Sequence, residues 1–81
     1  MKTYAIDDFT RENPDYKVQY DYNPSDKDTA IILQVRRGIM LREWFISHRD
    51  VNFLKNSSAD WNDFISRILK QIKQEFEERS E

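Results

Sequence analysis

Thr29-Ala30-Ile31-Ile32-Leu33-Gln34-Val35-Arg36 is the most apolar stretch of the chain, and its reading decides the fold. Its β-branched content favours strand over helix. Ile31, Leu33 and Val35 fall on one face of such a strand; Ala30, Ile32, Gln34 and Arg36 fall on the other. A strand this apolar is best placed in the middle of a sheet, where both edges are paired. Arg37-Gly38 follows, with the only glycine in the sequence. A lone glycine between two apolar runs marks a tight turn, because positive φ costs it little. Ile39 to Ser47 then reads as the next strand. Met40, Arg42, Trp44 and Ile46 share one parity, and Ile39, Leu41, Glu43, Phe45 and Ser47 share the other. A bulge near Arg42-Glu43 would let both sets contribute to a core.

Upstream, Asp15 to Tyr22 alternates. Tyr16, Val18, Tyr20 and Tyr22 point one way, and Lys17, Gln19 and Asp21 point the other, as in a half-buried strand. Asn23-Pro24-Ser25-Asp26-Lys27-Asp28 is a turn cluster joining it to the central strand. Ala5 to Glu12 reads as a short helix with Thr3 as its cap, Asp7 and Asp8 near its positive end, and Ile6 and Phe9 on one face. Asn13-Pro14 ends it.

Downstream, His48 to Asn56 is a linker with room for one helical turn, in which Val51 and Leu54 can pack. Ser57-Ser58-Ala59-Asp60 offers a capping box. From Ser58 to Arg79, Trp61, Phe64, Ile65, Ile68, Leu69, Ile72 and Phe76 recur at three- and four-residue steps and form one apolar stripe. The expected architecture is α+β in the order α-β-β-β-α: a three-stranded antiparallel sheet closed by a long C-terminal helix. The chain of 81 residues reads as a single domain.

Composition narrows the function. There is no cysteine, so neither a disulfide framework nor a thiolate metal site is available. The only histidine is His48. No Gly-x-Ser-x-Gly elbow and no glycine-rich phosphate loop exists. Asp26 and Asp28 lie close together, but without the spacing of a calcium loop. The expectation is a protein that is not an enzyme, with no catalytic residue, no metal and no cofactor. No apolar run reaches the roughly 20 residues of a membrane span, and no signal segment is visible, so a cytoplasmic location is expected.

The net charge of −2 hides a pattern. Residues 1–28 carry four basic and seven acidic groups, a net of −3. Residues 29–49 carry Arg36, Arg37, Arg42 and Arg49 against Glu43, a net of +3. Residues 50–81 carry five basic and seven acidic groups, a net of −2. Arg36, Arg37 and Arg42 near Trp44 can grip phosphates and stack on a base. Alternatively Arg36 and Arg42 pair with Glu43 or with acids on neighbouring elements. The aromatic set Tyr16, Tyr20, Tyr22, Trp44, Trp61 and Phe64 reads mainly as core.

Four stretches carry a family resemblance: Ile6-Asp7-Asp8-Phe9, Asp15-Tyr16-Lys17-Val18, Ala30-Ile31-Ile32-Leu33-Gln34-Val35 and Trp44-Phe45-Ile46-Ser47. In this order the chain resembles the small prophage-encoded anti-CRISPR proteins that block RNA-guided type II nucleases. The resemblance implies an inhibitor that binds a host nuclease, with acidic groups occupying the site that reads the short PAM duplex. Its counterparts here are Asp21, Asp26, Asp28 and Glu43. The arginines and the small net charge depart from that pattern. The other expectation is a nucleic-acid-binding regulatory module that uses the Arg36-Arg37 hairpin. That reading shares its element order with double-stranded-RNA-binding domains. The chain lacks their basic motif at the start of the second helix and has Ser57-Ser58-Ala59-Asp60 instead. Neither reading sets the oligomeric state.

Overall fold

The computed structural model describes residues 3–22 and 27–79. Helix α1 spans Tyr4–Glu12, strand β1 Tyr16–Asp21, β2 Thr29–Arg37, β3 Met40–Ser47, helix α2 His48–Leu54 and α3 Ser58–Arg79. The strands form one antiparallel sheet in the order β1-β2-β3, so the most apolar strand is central, as its composition predicts. The α+β architecture and the element order read from the sequence are those of the structure. Asn23 to Asp26 of the expected turn cluster lie outside the described residues.

The β2–β3 hairpin turns on Gly38 and Ile39. Gly38 has φ +60°, and no other described residue has positive φ. Positive φ at the first central residue alone is the pattern of a type II′ turn, which suits the twist of paired strands.

Helix α3 places Trp61, Ile65, Ile68, Leu69, Ile72 and Phe76 in the core. They close over Ile31, Leu33, Val35 and Ile46 on the sheet. Its start is fixed by Ser57, whose hydroxyl accepts the Asp60 N–H at 3.2 Å. Helix α1 lies against α3 and β1, adding Ala5 and Phe9. At the end of the sheet nearest the hairpin, Tyr16 stacks on Phe76 with centroids 5.9 Å apart and meets Phe9 edge-on at 5.4 Å.

Three local expectations change. The register runs without interruption from Ile32↔Phe45 to Arg37↔Met40, so there is no bulge at Arg42-Glu43. The irregularity lies between Thr29 and Ile31 instead. A bulge was expected so that both parities of β3 could be buried. The helices cover only one face, and the second parity stays in solvent. Thr3 does not cap α1 through its side chain; its hydroxyl accepts the indole N–H of Trp61 at 3.2 Å. The orphan N–H of Ala5 is met from α3, by the Asn62 side-chain oxygen at 2.9 Å. Finally, the expected linker after β3 is largely helix. Ser47 ends β3 and caps α2 at once, accepting the Asp50 N–H at 3.1 Å. Val51 and Leu54 pack inward, as their spacing predicts.

Candidate interaction surface

The sheet has a covered face and an outer face, and alternation assigns every strand residue to one of them. On the outer face the register builds three rows. Lys17, Arg36 and Leu41 stand side by side; then Gln19, Gln34 and Glu43; then Asp21, Ile32 and Phe45. Read along the strands instead, the face is polar on β1, while on β3 Leu41 and Phe45 flank Glu43. Leu41 is 46% exposed and Phe45 61%, and Ile39 at the turn projects wholly into solvent. An unaccompanied exposed leucine is ordinary. Ile39, Leu41 and Phe45 lie along one margin of the sheet, with Glu43 between Leu41 and Phe45, and exposed apolar side chains gathered this closely ask for a partner.

The arginines divide between the faces. Arg36 points outward and is exposed. Arg37 belongs to the covered face: its guanidinium lies over the Tyr16 ring, 5.5 Å from the centroid, and donates to the Tyr16 hydroxyl at 3.3 Å. Arg42 also belongs to the covered face. Its Nε donates to Glu75 of α3 at 3.0 Å, its Nη1 donates to the Glu43 carbonyl, and it lies over Trp44 at 5.2 Å. Arg37 and Arg42 therefore use their charge to seal the sheet margin against α3 and Tyr16. The three arginines do not form one patch.

The acids are dispersed as well. Asp21 ends β1 in the third row, and Asp28 is exposed just before β2. Asp26 lies outside the described residues. Glu43 stands mid-strand on β3, where its carboxylate accepts the Gln34 amide at 3.0 Å. Its partner is thus a glutamine rather than Arg36 or Arg42. Arg49 and His48 are exposed in the first turn of α2.

The expected aromatic core holds in part. Tyr16 and Trp61 are buried, Tyr20, Trp44 and Phe64 pack against the core, and Tyr22 is largely exposed beside Tyr20. The Tyr20 hydroxyl is buried with no hydrogen-bond partner among the described residues. Burial pushes its pKa up to about 12, with the nearby Thr3 hydroxyl pulling the other way and Tyr22 adding a small upward push.

Among the described residues no group of three or more His, Asp or Glu is placed to hold a metal. No helix among them is long and apolar enough to cross a membrane. A shallow groove of about 560 Å³ runs between α1 and α3, lined in part by Tyr4, Asp8, Asp63 and Lys70. Its charges are mixed in sign, so it favours no ligand chemistry. Sequence reasoning missed Leu41 and Phe45 of β3 as a surface and Lys17 as the neighbour of Arg36. The first follows from strict alternation once no bulge is placed in β3; the second is set by the β1–β2 register, which alternation leaves open.

Compared with protein-family models, with curated proteins and with solved structures, the chain matches none.

Proposed function

We propose that this chain is a small non-enzymatic binding protein that engages another protein through the outer face of its sheet. In this reading it acts as a phage or mobile-element inhibitor acts on a host protein. One observation carries the reading: Ile39 at the turn and Leu41 and Phe45 of β3 are exposed while α1 and α3 occupy the opposite face. Burying these side chains on association supplies the apolar centre that protein interfaces have. The polar groups of β1 then supply part of a rim.

The nuclease-directed form of the reading needs negative charge presented together. Asp21 and Glu43 stand in different rows, and Gln34 holds Glu43. The face itself therefore supports partner binding better than an acidic array does. Nucleic acid as the partner has Arg36 and Lys17 in its favour, but Arg37 and Arg42 are spent within the fold.

The test is capture of host proteins by the immobilised chain, with and without nuclease, followed by Leu41→Ser and Phe45→Ser. A protein partner that survives nuclease, protects β3 amides from exchange and is lost with either substitution supports the reading. Capture that vanishes with nuclease, or that ignores both substitutions, overturns it.

A further inference from the structure

The register sets Lys17 directly opposite Arg36 on the outer face. Like charges directly opposed across a sheet are destabilising. Among the described residues neither cation is within ion-pair distance of a carboxylate. Lys17, Gln19, Gln34, Arg36 and Leu41 line a dimple of about 80 Å³ between them. That is far below the roughly 300 Å³ at which pockets for drug-sized ligands begin, and it suits one tetrahedral oxyanion.

We propose that Lys17 and Arg36 form a seat for a single phosphate group, carried on a phosphorylated side chain of the protein that docks on this face. The inference rests on the reading of the outer face as a docking surface and names the chemistry its partner brings. Arginine offers a planar fork of donors and lysine a mobile point charge, and both bind phosphate oxygens through strengthened hydrogen bonds. The Gln19 amide adds a neutral donor. Gln34 gives Glu43 one bond and keeps its carboxylate engaged at 3.0 Å. A phosphate dianion between the two cations turns their repulsion into attraction.

The surroundings favour one phosphate over a polynucleotide backbone. A nucleic-acid track needs cations repeated along the strand path. Here Arg37 and Arg42 face the other side of the sheet, so the pair stands by itself. Leu41 lines the dimple itself, which suits a phosphorylated residue flanked by apolar ones.

The test is an NMR titration of the full chain at constant ionic strength. The probes are N-acetyl-phosphoserine amide, its unphosphorylated counterpart, inorganic phosphate and a single-stranded oligonucleotide. The expected result is a saturable shift confined to Lys17, Gln19, Gln34 and Arg36, with a Kd on the order of 1 mM for the phosphoserine probe. Inorganic phosphate gives the same pattern, and the unphosphorylated probe gives none. Arg36→Gln and Lys17→Gln each weaken binding by about tenfold or more, and neither lowers the melting temperature. Shifts that the unphosphorylated probe reproduces, or that persist in both variants, overturn the seat. Arg36-dependent binding of the oligonucleotide that is tighter per phosphate than that of the phosphoserine probe also overturns it. Failure of the seat leaves the docking face standing if Leu41→Ser and Phe45→Ser still abolish capture. Failure of the face appears instead as capture indifferent to those two substitutions.

Discussion

Replacing Asn62 with leucine isolates one interaction that joins the two ends of the chain. Asn62 is 2% exposed, and its side-chain oxygen accepts the N–H of Ala5 across 57 positions of sequence. Ala5 is the second residue of α1, where helical N–H groups have no partner within the helix. The amide of Asn62 also donates to the Ser58 carbonyl at 2.8 Å. Leucine has the same number of side-chain heavy atoms and the same branch point and is somewhat bulkier, so no cavity opens. The cost is the Ala5 N–H left dry and unpaired, about 1–3 kcal/mol. That is a large part of what keeps a nine-residue helix docked, since helices this short do not hold themselves in water. Urea unfolding should show a lower midpoint with an unchanged slope. Hydrogen exchange should show faster exchange through α1 while β2 falls only by the global loss. Asn62→Asp keeps an acceptor at the positive end of α1 and should lose less. If Asn62→Leu lies within about 0.5 kcal/mol of the parent and leaves exchange in α1 unchanged, the capping argument is wrong.

Three further outcomes follow from the same structure. Gly38→Ala should destabilise by about 1–2 kcal/mol through φ alone, because a Cβ there meets nothing within 4 Å. D-alanine at the same position, in a synthetic chain, should instead stabilise by about 0.4–1 kcal/mol; equal effects of the two enantiomers in thermal melts would refute the turn assignment. A double-mutant cycle of Arg42→Met with Glu75→Gln should give a coupling on the order of 0.5–1 kcal/mol that shrinks in high salt, and zero coupling would remove the ion pair from the account of the sheet margin. Tyr20 has its folded pKa raised from 10.0 to about 12 by burial, so the folded chain holds a proton there that the unfolded chain releases. Its contribution to stability is full below pH 10 and declines as pH rises toward 12. Tyr20→Phe should erase that decline at matched temperature and leave stability at neutral pH no lower than the parent's, because the buried hydroxyl it removes has no partner among the described residues; a decline that survives the substitution assigns it to another group.

Much of the fold was legible because local signals agreed. The single glycine, the alternation of Tyr16 to Asp21 and the stripe from Trp61 to Phe76 each point to one element type. What was not legible depends on where distant parts meet. Nothing around Thr3 in sequence reveals that Trp61 takes its hydroxyl, or that α1 is capped from Asn62. Asn62 interrupts no pattern, so it reads as a polar residue beside the stripe. The bulge expected in β3 came from assuming that apolar residues of both parities must be buried. A sheet covered on one side only removes that requirement. The candidate site was legible in outline, since the outer face follows from alternation. Its membership was misjudged where nearness in sequence stood in for nearness in space. Arg36 and Arg37 are adjacent in the chain yet face opposite sides of a strand. Arg37 has the parity of Ile31, Leu33 and Val35, and alternation alone assigns it to the covered face.

The stacking of Phe76 on Tyr16 has a consequence for biosynthesis. The three strands leave the ribosome before α3 does, and their pairing as consecutive hairpins uses no residue of α3. The nascent sheet therefore exposes Ile31, Leu33, Val35 and Ile46 on one side and Leu41 and Phe45 on the other. Until the turn of α3 that carries Phe76 emerges, Tyr16 has no ring to stack on and the sheet has apolar residues on both surfaces. This interval is when the chain is most open to chaperones and to pairing with other nascent chains.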